Sequence, residues 1–413
     1  MRIAIVTWTR RKAGGVETYL DGLLTALGRA GHQTALFCEV DLPADRPPVS
    51  TDDEAAVWCI SRIGLDKAVD SLLGWHPDVI YGHGLSDPGV EARTLYAAPA
   101  VLFAHGYRGI CISGEKSFKY PEVRPCGRRF GWQCLMHFYP HRCGGLNPAT
   151  MWRDFNRESR RLAILHSYRA IVTGSSHMRE EYIKHRFSPQ GVRLIRLPVE
   201  NAGSAAACGI NASVEANTNR GRVAGGTLRL AFVGRMEPVK GGGKLLDALP
   251  LVLDELGRPL QVIFVGEGRE RSRWERQAVR MQSCQPRLEI QFKGWLEMEE
   301  LRPLLCDSDL LVVPSLWPEP FGLIGPQAGS CGLPAAAFDV GGIGDWLTAG
   351  VNGHLAPGDP PSAEGLARAI IRCLKDPADH QRLRKGASNL ARRFSLAAHV
   401  TDLLGLFAEV SRP

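Results

Sequence analysis

Residues 228–256, LRLAFVGRMEPVKGGGKLLDALPLVLDEL, hold a short apolar run, a glycine-rich turn and a longer segment that reads as a helix. Leu228–Gly234 has the length and composition of a buried strand, and the helix is expected over Gly243–Leu256. Strand, glycine turn and helix form the repeating unit of a parallel sheet covered on both faces. The unit recurs toward the C-terminus, with strands expected at Leu260–Gly266, Leu288–Lys293, Leu310–Pro314 and Pro334–Phe338 and a helix at Arg269–Gln282. Residues 227–395 are therefore expected to form one doubly wound domain.

On the N-terminal side lies NAGSAAACGINASVEANTNRGRVAGG, residues 201–226, with almost nothing large and apolar. It reads as an interdomain linker. The sequon at Asn211 within it is read as accidental. Before it, residues 1–200 show the same alternation, with strands expected at Arg2–Trp8, Thr34–Val40, Asp78–His83, Ala100–His105, Ala170–Thr173 and Val192–Leu197. Val16, Tyr19, Leu20, Leu23, Leu24 and Leu27 mark one apolar face of a helix after the first strand. The last segment, 396–413, is apolar at helical spacing and is expected to pack back on the first domain. Two such domains place two sets of strand C-termini, where open α/β sheets bind ligands, at one shared cleft.

Composition agrees. The chain has 413 residues, 44% hydrophobic and 23% charged, the balance of a soluble globular protein. It contains no apolar run of the roughly 18–20 residues that cross a bilayer, and Arg2–Trp8 reads as a strand rather than a signal peptide. A cytoplasmic location follows, with contact at the inner face of the membrane as a further expectation. The net charge of +7 suits an anionic ligand without a nucleic-acid-reading motif, so nucleic acid is not an expected partner.

Three turns carry the chemistry. Arg11-Lys12-Ala13-Gly14-Gly15 follows the first strand, and a glycine pair there lets backbone N–H groups approach an anion. Gly234-Arg235-Met236-Glu237-Pro238-Val239-Lys240-Gly241 sets an Arg and a Lys five residues apart ahead of a helix, a pair that can clamp a pyrophosphate. In Pro314-Ser315-Leu316-Trp317-Pro318-Glu319-Pro320-Phe321-Gly322-Leu323, a carboxylate sits between a strand and a helix start near Leu323.

With Gly266-Glu267-Gly268 and Asp339-Val340-Gly341-Gly342, these stretches resemble the family 4 retaining glycosyltransferases, over both domains from Gly14-Gly15 to about Gly353. The resemblance implies the α/β GT-B fold, two facing Rossmann-like domains with a nucleotide-sugar donor in the cleft. It implies that Arg235 and Lys240 hold the donor diphosphate and that Glu319 contacts the donor sugar. Phe321, Gly322 and Leu323 form the turn at sugar and phosphate, and His105 lies near the transferred sugar. Gly14, Gly15, Gly234 and Gly266 approach the donor through their backbone. The implied reaction is retaining hexosyl transfer to a glycan, lipid-linked or small-molecule acceptor, with the leaving phosphate deprotonating the acceptor and no cofactor required.

The family's second acid falls at position 327, where this chain has Gln327. A neutral acceptor there weakens the expected grip on ribose hydroxyls. A lapsed, donor-binding homologue therefore stays open, as does a nucleotide-sugar 2-epimerase. Asp307-Ser308-Asp309 has the form of a metal motif, but it precedes the strand Leu310–Pro314 and so lies opposite the ligand-binding end. Residues 106–147 form an insertion after His105 with Cys111, Cys126, Cys134 and Cys143, a candidate set for structural zinc or else buried or redox-sensitive thiols. The insertion is basic and aromatic and is expected to shape the acceptor site.

Overall fold

The computed structural model describes residues 1–12, 14–42, 47–49, 56–199 and 226–412. The expected linker, Gly226 excepted, and Asn211 lie outside the described residues. The chain forms two compact units, one of Met1–Lys116, Gly127–Pro198 and Leu396–Pro413, the other of Ser117–Cys126 and Val199–Ser395. The short piece Ser117–Cys126, counted with the first domain from sequence, thus groups with the second.

The strands are β1 (Arg2–Thr9), β2 (Gln33–Val40), β3 (Val57–Cys59), β4 (Val79–Gly82), β5 (Ala100–Ala104), the antiparallel pair β6 (Ser117–Phe118) and β7 (Arg124–Pro125), β8 (Ala170–Thr173) and β9 (Val192–Leu194). All but β6 and β7 form one parallel sheet in the order β3-β2-β1-β4-β5-β8-β9. Ile3, Ala4, Ile5 and Val6 are buried on both faces of β1, which explains its continuous apolar reading. Tyr19, Leu20, Leu23, Leu24 and Leu27 of helix Gly15–Arg29 are buried, while Val16 is half-buried and Glu17 takes the buried place beside it. Helix Leu396–Val410 adds His399, Leu403 and Phe407 to the core of this unit, with the Phe407 ring 5.1 Å from that of Tyr81.

The second unit holds β10 (Leu228–Val233), β11 (Leu260–Val265), β12 (Leu288–Gly294), β13 (Leu310–Val313), β14 (Ala335–Phe338) and β15 (Gly353–Ala356), all parallel in the order β12-β11-β10-β13-β14-β15. Helix Gly242–Leu256 buries Leu245, Leu246, Leu249, Val252 and Leu253 and stops at Gly257 in the left-handed conformation. Trp274 of helix Arg271–Cys284 meets the rings of Phe232 and Phe264 at 5.7 and 6.0 Å and anchors that helix to the sheet. In each sheet the order reverses beside the first strand, at β1/β4 and at β10/β13. Chain ends diverge there and leave a crevice at the strand C-termini.

Candidate functional site

In the second unit, the loops after β10 and β13 meet at the reversal point. The Leu316 amide donates to the Val239 carbonyl at 2.8 Å, stitching the loops together. Gly241 makes this approach possible, since it has φ +70° and a side chain there would come within 1.8 Å of the Pro314 carbonyl oxygen. The stitch sets Lys240 Nζ 2.6 Å from Glu319 Oε1, an acceptor shared with the Ser315 hydroxyl. Glu319 is buried at 5% exposure. Burial alone would raise its carboxyl, but the Lys240 charge and hydrogen bond, with help from Ser315 and Trp317, outweigh it and hold the group below the usual range. The Lys240 ammonium also lies 5.2 Å over the Trp317 ring.

Neighbouring loops fix Glu319 from behind. Gly342 donates its amide to the Glu319 carbonyl at 2.6 Å, which gives the Asp339–Gly342 stretch a structural purpose. Trp346, buried, donates its indole N–H to the Phe321 carbonyl at 2.7 Å and holds the Phe321-Gly322-Leu323 turn. Helix Ile324–Ser330 follows directly, with Gln327 half-buried within it. Arg235 is exposed and makes no ion pair among the described residues. Gly234 and Gly266 lie in a chain of amides, Gly234 donating to the Val265 carbonyl and Gly266 to that of Gly294.

Asp307 and Asp309 are occupied elsewhere. Asp307 pairs with Arg229, and Asp309 accepts the Arg229 amide at 2.7 Å, joining the N-terminal ends of β10 and β13. This is the end of the sheet away from Lys240 and Glu319.

In the first unit, β4 and β5 are each followed directly by histidine and glycine, His83-Gly84 and His105-Gly106. Their rings meet, His83 Nδ1 lying 2.8 Å from His105 Nε2. Burial drives His105 down to about 3 and His83 well below its usual range, so both are neutral near pH 7. His83 Nε2 is buried and has no hydrogen-bond partner among the described residues. Beside them runs a second chain of polar groups. His399 Nδ1 donates to the Arg196 carbonyl at 2.8 Å, so its Nε2 accepts from the Tyr19 hydroxyl, and the Tyr19 oxygen in turn accepts from Tyr81 at 2.9 Å. His83 escaped the sequence reading, although Tyr81-Gly82-His83-Gly84 repeats the pattern of Phe103-Ala104-His105-Gly106.

Gly14 precedes the first helix with φ −177°, a conformation open to any residue, and a side chain on Gly15 would meet nothing within 4 Å. What this pair offers is open space, while Arg11 and Lys12 beside it are tied to Asp41 and Asp21 at 2.8 and 2.6 Å.

Among the described residues, no group of three or more His, Cys, Asp or Glu side chains is placed to hold a metal ion. Three of the insertion's four thiols make the following local contacts. Cys111 Sγ accepts the Lys116 amide at 3.3 Å, Cys134 Sγ points to the Arg129 carbonyl at 3.9 Å and Cys143 Sγ to the His137 carbonyl at 3.8 Å. The insertion is pinned by other means. Lys116, 2% exposed, pairs with Glu181 at 2.9 Å and bonds the Arg128 carbonyl, and the Phe130 amide donates to His185 Nε2 at 2.9 Å.

Two Rossmann-like sheets of this order, each with polar groups at its reversal point, define the GT-B class of transferases. The chain matches Glycosyltransferase Family 4 over residues 13–201 and Glycosyl transferases group 1 over residues 214–390, and it belongs to this family of glycosyltransferases. It is 26% identical to a glycogen synthase of Mycobacterium tuberculosis, over 94% of this chain and 89% of that protein. It is 32% identical to a D-inositol 3-phosphate glycosyltransferase of Streptomyces bingchenggensis, over 44% of this chain and 40% of that protein. Among solved structures, Anabaena HepE in complex with UDP-glucose aligns with a TM-score of 0.66 at 18% identity, covering 99% of this chain and 100% of that one. Sucrose-phosphate synthase from Thermosynechococcus elongatus aligns at 0.62 and 20%, covering 99% and 98%. No helix among the described residues is long and apolar enough to cross a membrane.

Proposed function

We propose that the chain transfers a hexosyl group from a nucleotide-sugar donor to a hydroxyl of a glycan, lipid-linked or small-molecule acceptor, with retention at the anomeric carbon. The observation that carries this reading is the Lys240–Glu319 pair at the C-terminal ends of β10 and β13, the crevice where open α/β sheets take nucleotides. An ammonium has three donors, and Glu319 uses one, so Lys240 keeps donors for a diphosphate oxygen. Arg235, exposed on the same loop, supplies a planar fork for the same group. Glu319, ionised and fixed, accepts from a sugar hydroxyl, and Gln327 accepts from the ribose. In the other unit, His83 orients His105, which is assigned to the transferred sugar.

In the reaction the acceptor oxygen bonds to the anomeric carbon as the bond from that carbon to the diphosphate oxygen breaks. The acceptor proton passes to the departing diphosphate on the same face. The chain contributes orientation and stabilises negative charge on the leaving group through Lys240 and Arg235, without a metal ion. The UDP-glucose complex of HepE supports a uridine nucleotide sugar as the first donor to try.

The test is a thermal-shift series with UDP-, GDP-, ADP- and dTDP-sugars on the parent and on Arg235→Ala. Donor at 100 times its dissociation constant adds roughly 2.7 kcal/mol of stability. The reading expects a shift with one nucleotide class that Arg235→Ala weakens, together with sugar transfer or slow hydrolysis of that donor. Gln327 favours one second reading, a donor-binding homologue without turnover, and binding with neither transfer nor hydrolysis would establish it instead.

A further inference from the structure

The insertion after His105, expected from sequence to shape the acceptor site, has an unusual surface. From Gly127 to Arg153 the chain carries four arginines, Arg128, Arg129, Arg142 and Arg153, and no acidic residue. All four are exposed. Of thirteen large apolar side chains exposed among the described residues, four fall in this one stretch: Trp132 at 65%, Met136 at 56%, Leu146 at 63% and Trp152 at 58%. Clustering of this kind is not the scatter of single apolar residues normal for a soluble surface.

The patch is built rather than frayed. Trp132 and Met136 stand one turn apart at helix Gln133–Phe138, so they share a face. That helix neighbours Pro148–Leu165, where Trp152 stacks near Phe155 with ring centres 6.3 Å apart, and Phe155 meets Phe130 at 5.4 Å. Leu146 lies on the turn between the two helices. Beneath, the buried Lys116–Glu181 pair and the Phe130–His185 bond hold the stretch to helix Ser176–Lys184. The apolar side chains thus face outward from a fixed base and are not loose ends of a core.

We propose that this face of the insertion, with Trp132, Met136, Leu146 and Trp152 at its surface and the four arginines around them, seats the protein on an anionic lipid bilayer. The chemistry of the patch matches such a surface on both counts. Indole rings and a flexible thioether partition to the boundary between headgroups and acyl chains, where an apolar body meets water. Arg128 bonds His137 and Arg153 pairs with Asp154 at 3.3 Å, yet all four guanidinium groups stay exposed and charged. Exposed arginines are drawn to acidic headgroups, each contributing roughly a fivefold gain in partitioning near the surface. A neutral sugar polymer would use the rings and leave the positive charge of the patch unanswered, and a soluble polyanion would use the arginines and leave four apolar side chains wet. An acidic bilayer answers both. The proposal does not depend on the donor reading, because lipid binding requires no nucleotide sugar.

The test is co-sedimentation of the full chain with vesicles of phosphatidylcholine alone and of phosphatidylcholine with about a third phosphatidylglycerol, an acidic fraction sufficient to attract a basic patch. The expected result is binding to the mixed vesicles only, weakened by salt. Arg128→Ala with Arg129→Ala should lower binding roughly 25-fold, and Trp132→Ala with Met136→Ala should lower it at least about tenfold. Each double variant should keep the parent's melting temperature, because the side chains removed are exposed. Failure to bind acidic vesicles overturns the proposal. Equal binding to both vesicle types, or binding by both variants at the parent's level, overturns it too. If acidic vesicles fail but a sulfated polysaccharide binds and the arginine variant abolishes that binding, the occupant is a soluble polyanion and the bilayer assignment falls. Donor binding followed by melting in the same preparations reports separately on the donor reading.

Discussion

Replacing Lys240 by Met would test how the second unit holds its carboxylate. Met keeps the aliphatic stem and removes the ammonium, leaving Glu319 buried with the Ser315 hydroxyl on Oε1 and no cation at 2.6 Å. Removing one partner of a buried pair costs about 3–5 kcal/mol. Lys240 keeps 18% side-chain exposure, so the lower figure applies, about 3 kcal/mol. For a unit of this size that corresponds to a fall in melting temperature of about 6–12 °C. The loss must depend on pH. In the parent the Glu319 carboxyl is held below 4.5, so the pair's contribution is complete above that pH and fades as pH falls through the lowered value. In Lys240→Met only the Ser315 and Trp317 hydrogen bonds are left to oppose burial, so the carboxyl rises, the deficit is largest at neutral pH and it shrinks on acidification as Glu319 takes up a proton. Urea denaturation followed by tryptophan fluorescence would measure it, alongside Glu319→Gln and the double variant. Gln needs no counter-charge, so the double variant should recover most of the loss. A deficit below about 1 kcal/mol, or two single effects that simply add in the double variant, would show that Lys240 and Glu319 are not an energetic pair.

Other consequences are as direct. His83, His185 and His399 are buried and held below 6.5, the latter two to about 4, so the unfolded chain binds more protons between those limits. The first unit should therefore lose about 1.4 kcal/mol per pH unit for each histidine as pH falls from 6.5 toward 4, visible as a falling urea midpoint. Gln327→Glu should tighten donor binding roughly five- to tenfold, the difference between a neutral and a charge-assisted hydrogen bond, as read by titration calorimetry. His83→Ala should lower turnover roughly tenfold, the worth of one well-placed buried hydrogen bond, while His83→Asn, which keeps a polar atom near the Nδ1 position, should restore part of it. Equal kcat in the two His83 variants would remove the orienting role.

Much of the fold was legible because its strands are short, apolar and buried on both faces. Strands such as β10 and β13 differ from their expected spans by a residue at one end, where glycine or proline turns the chain. β3 and β15 went unread for the opposite reason. Val57–Cys59 has three residues, and Gly353–Ala356 contains His354 and opens on glycine, so neither presents an apolar run. At the site, Lys240 and Glu319 were each found by local pattern, yet their contact spans 79 positions and could not be read from spacing. Ser315 carried no mark at all, since one serine after a strand looks like any other. The four cysteines of the insertion show the same limit, because proximity along the chain says nothing of where each sulfur points.

The chain leaves the first unit at Pro198 and returns to it at Leu396, and Val199 forms a bridge with Ser395 where the two passages lie side by side. During translation this reverses the usual order of completion. The first sheet emerges early, but Tyr19 and Tyr81 wait for His399, and Phe407 is missing from the core they share. The ribosome must first deliver the whole of the other unit. The first unit is thus finished only after the second, and in the interval the part of its core that Leu403 and Phe407 fill stays open.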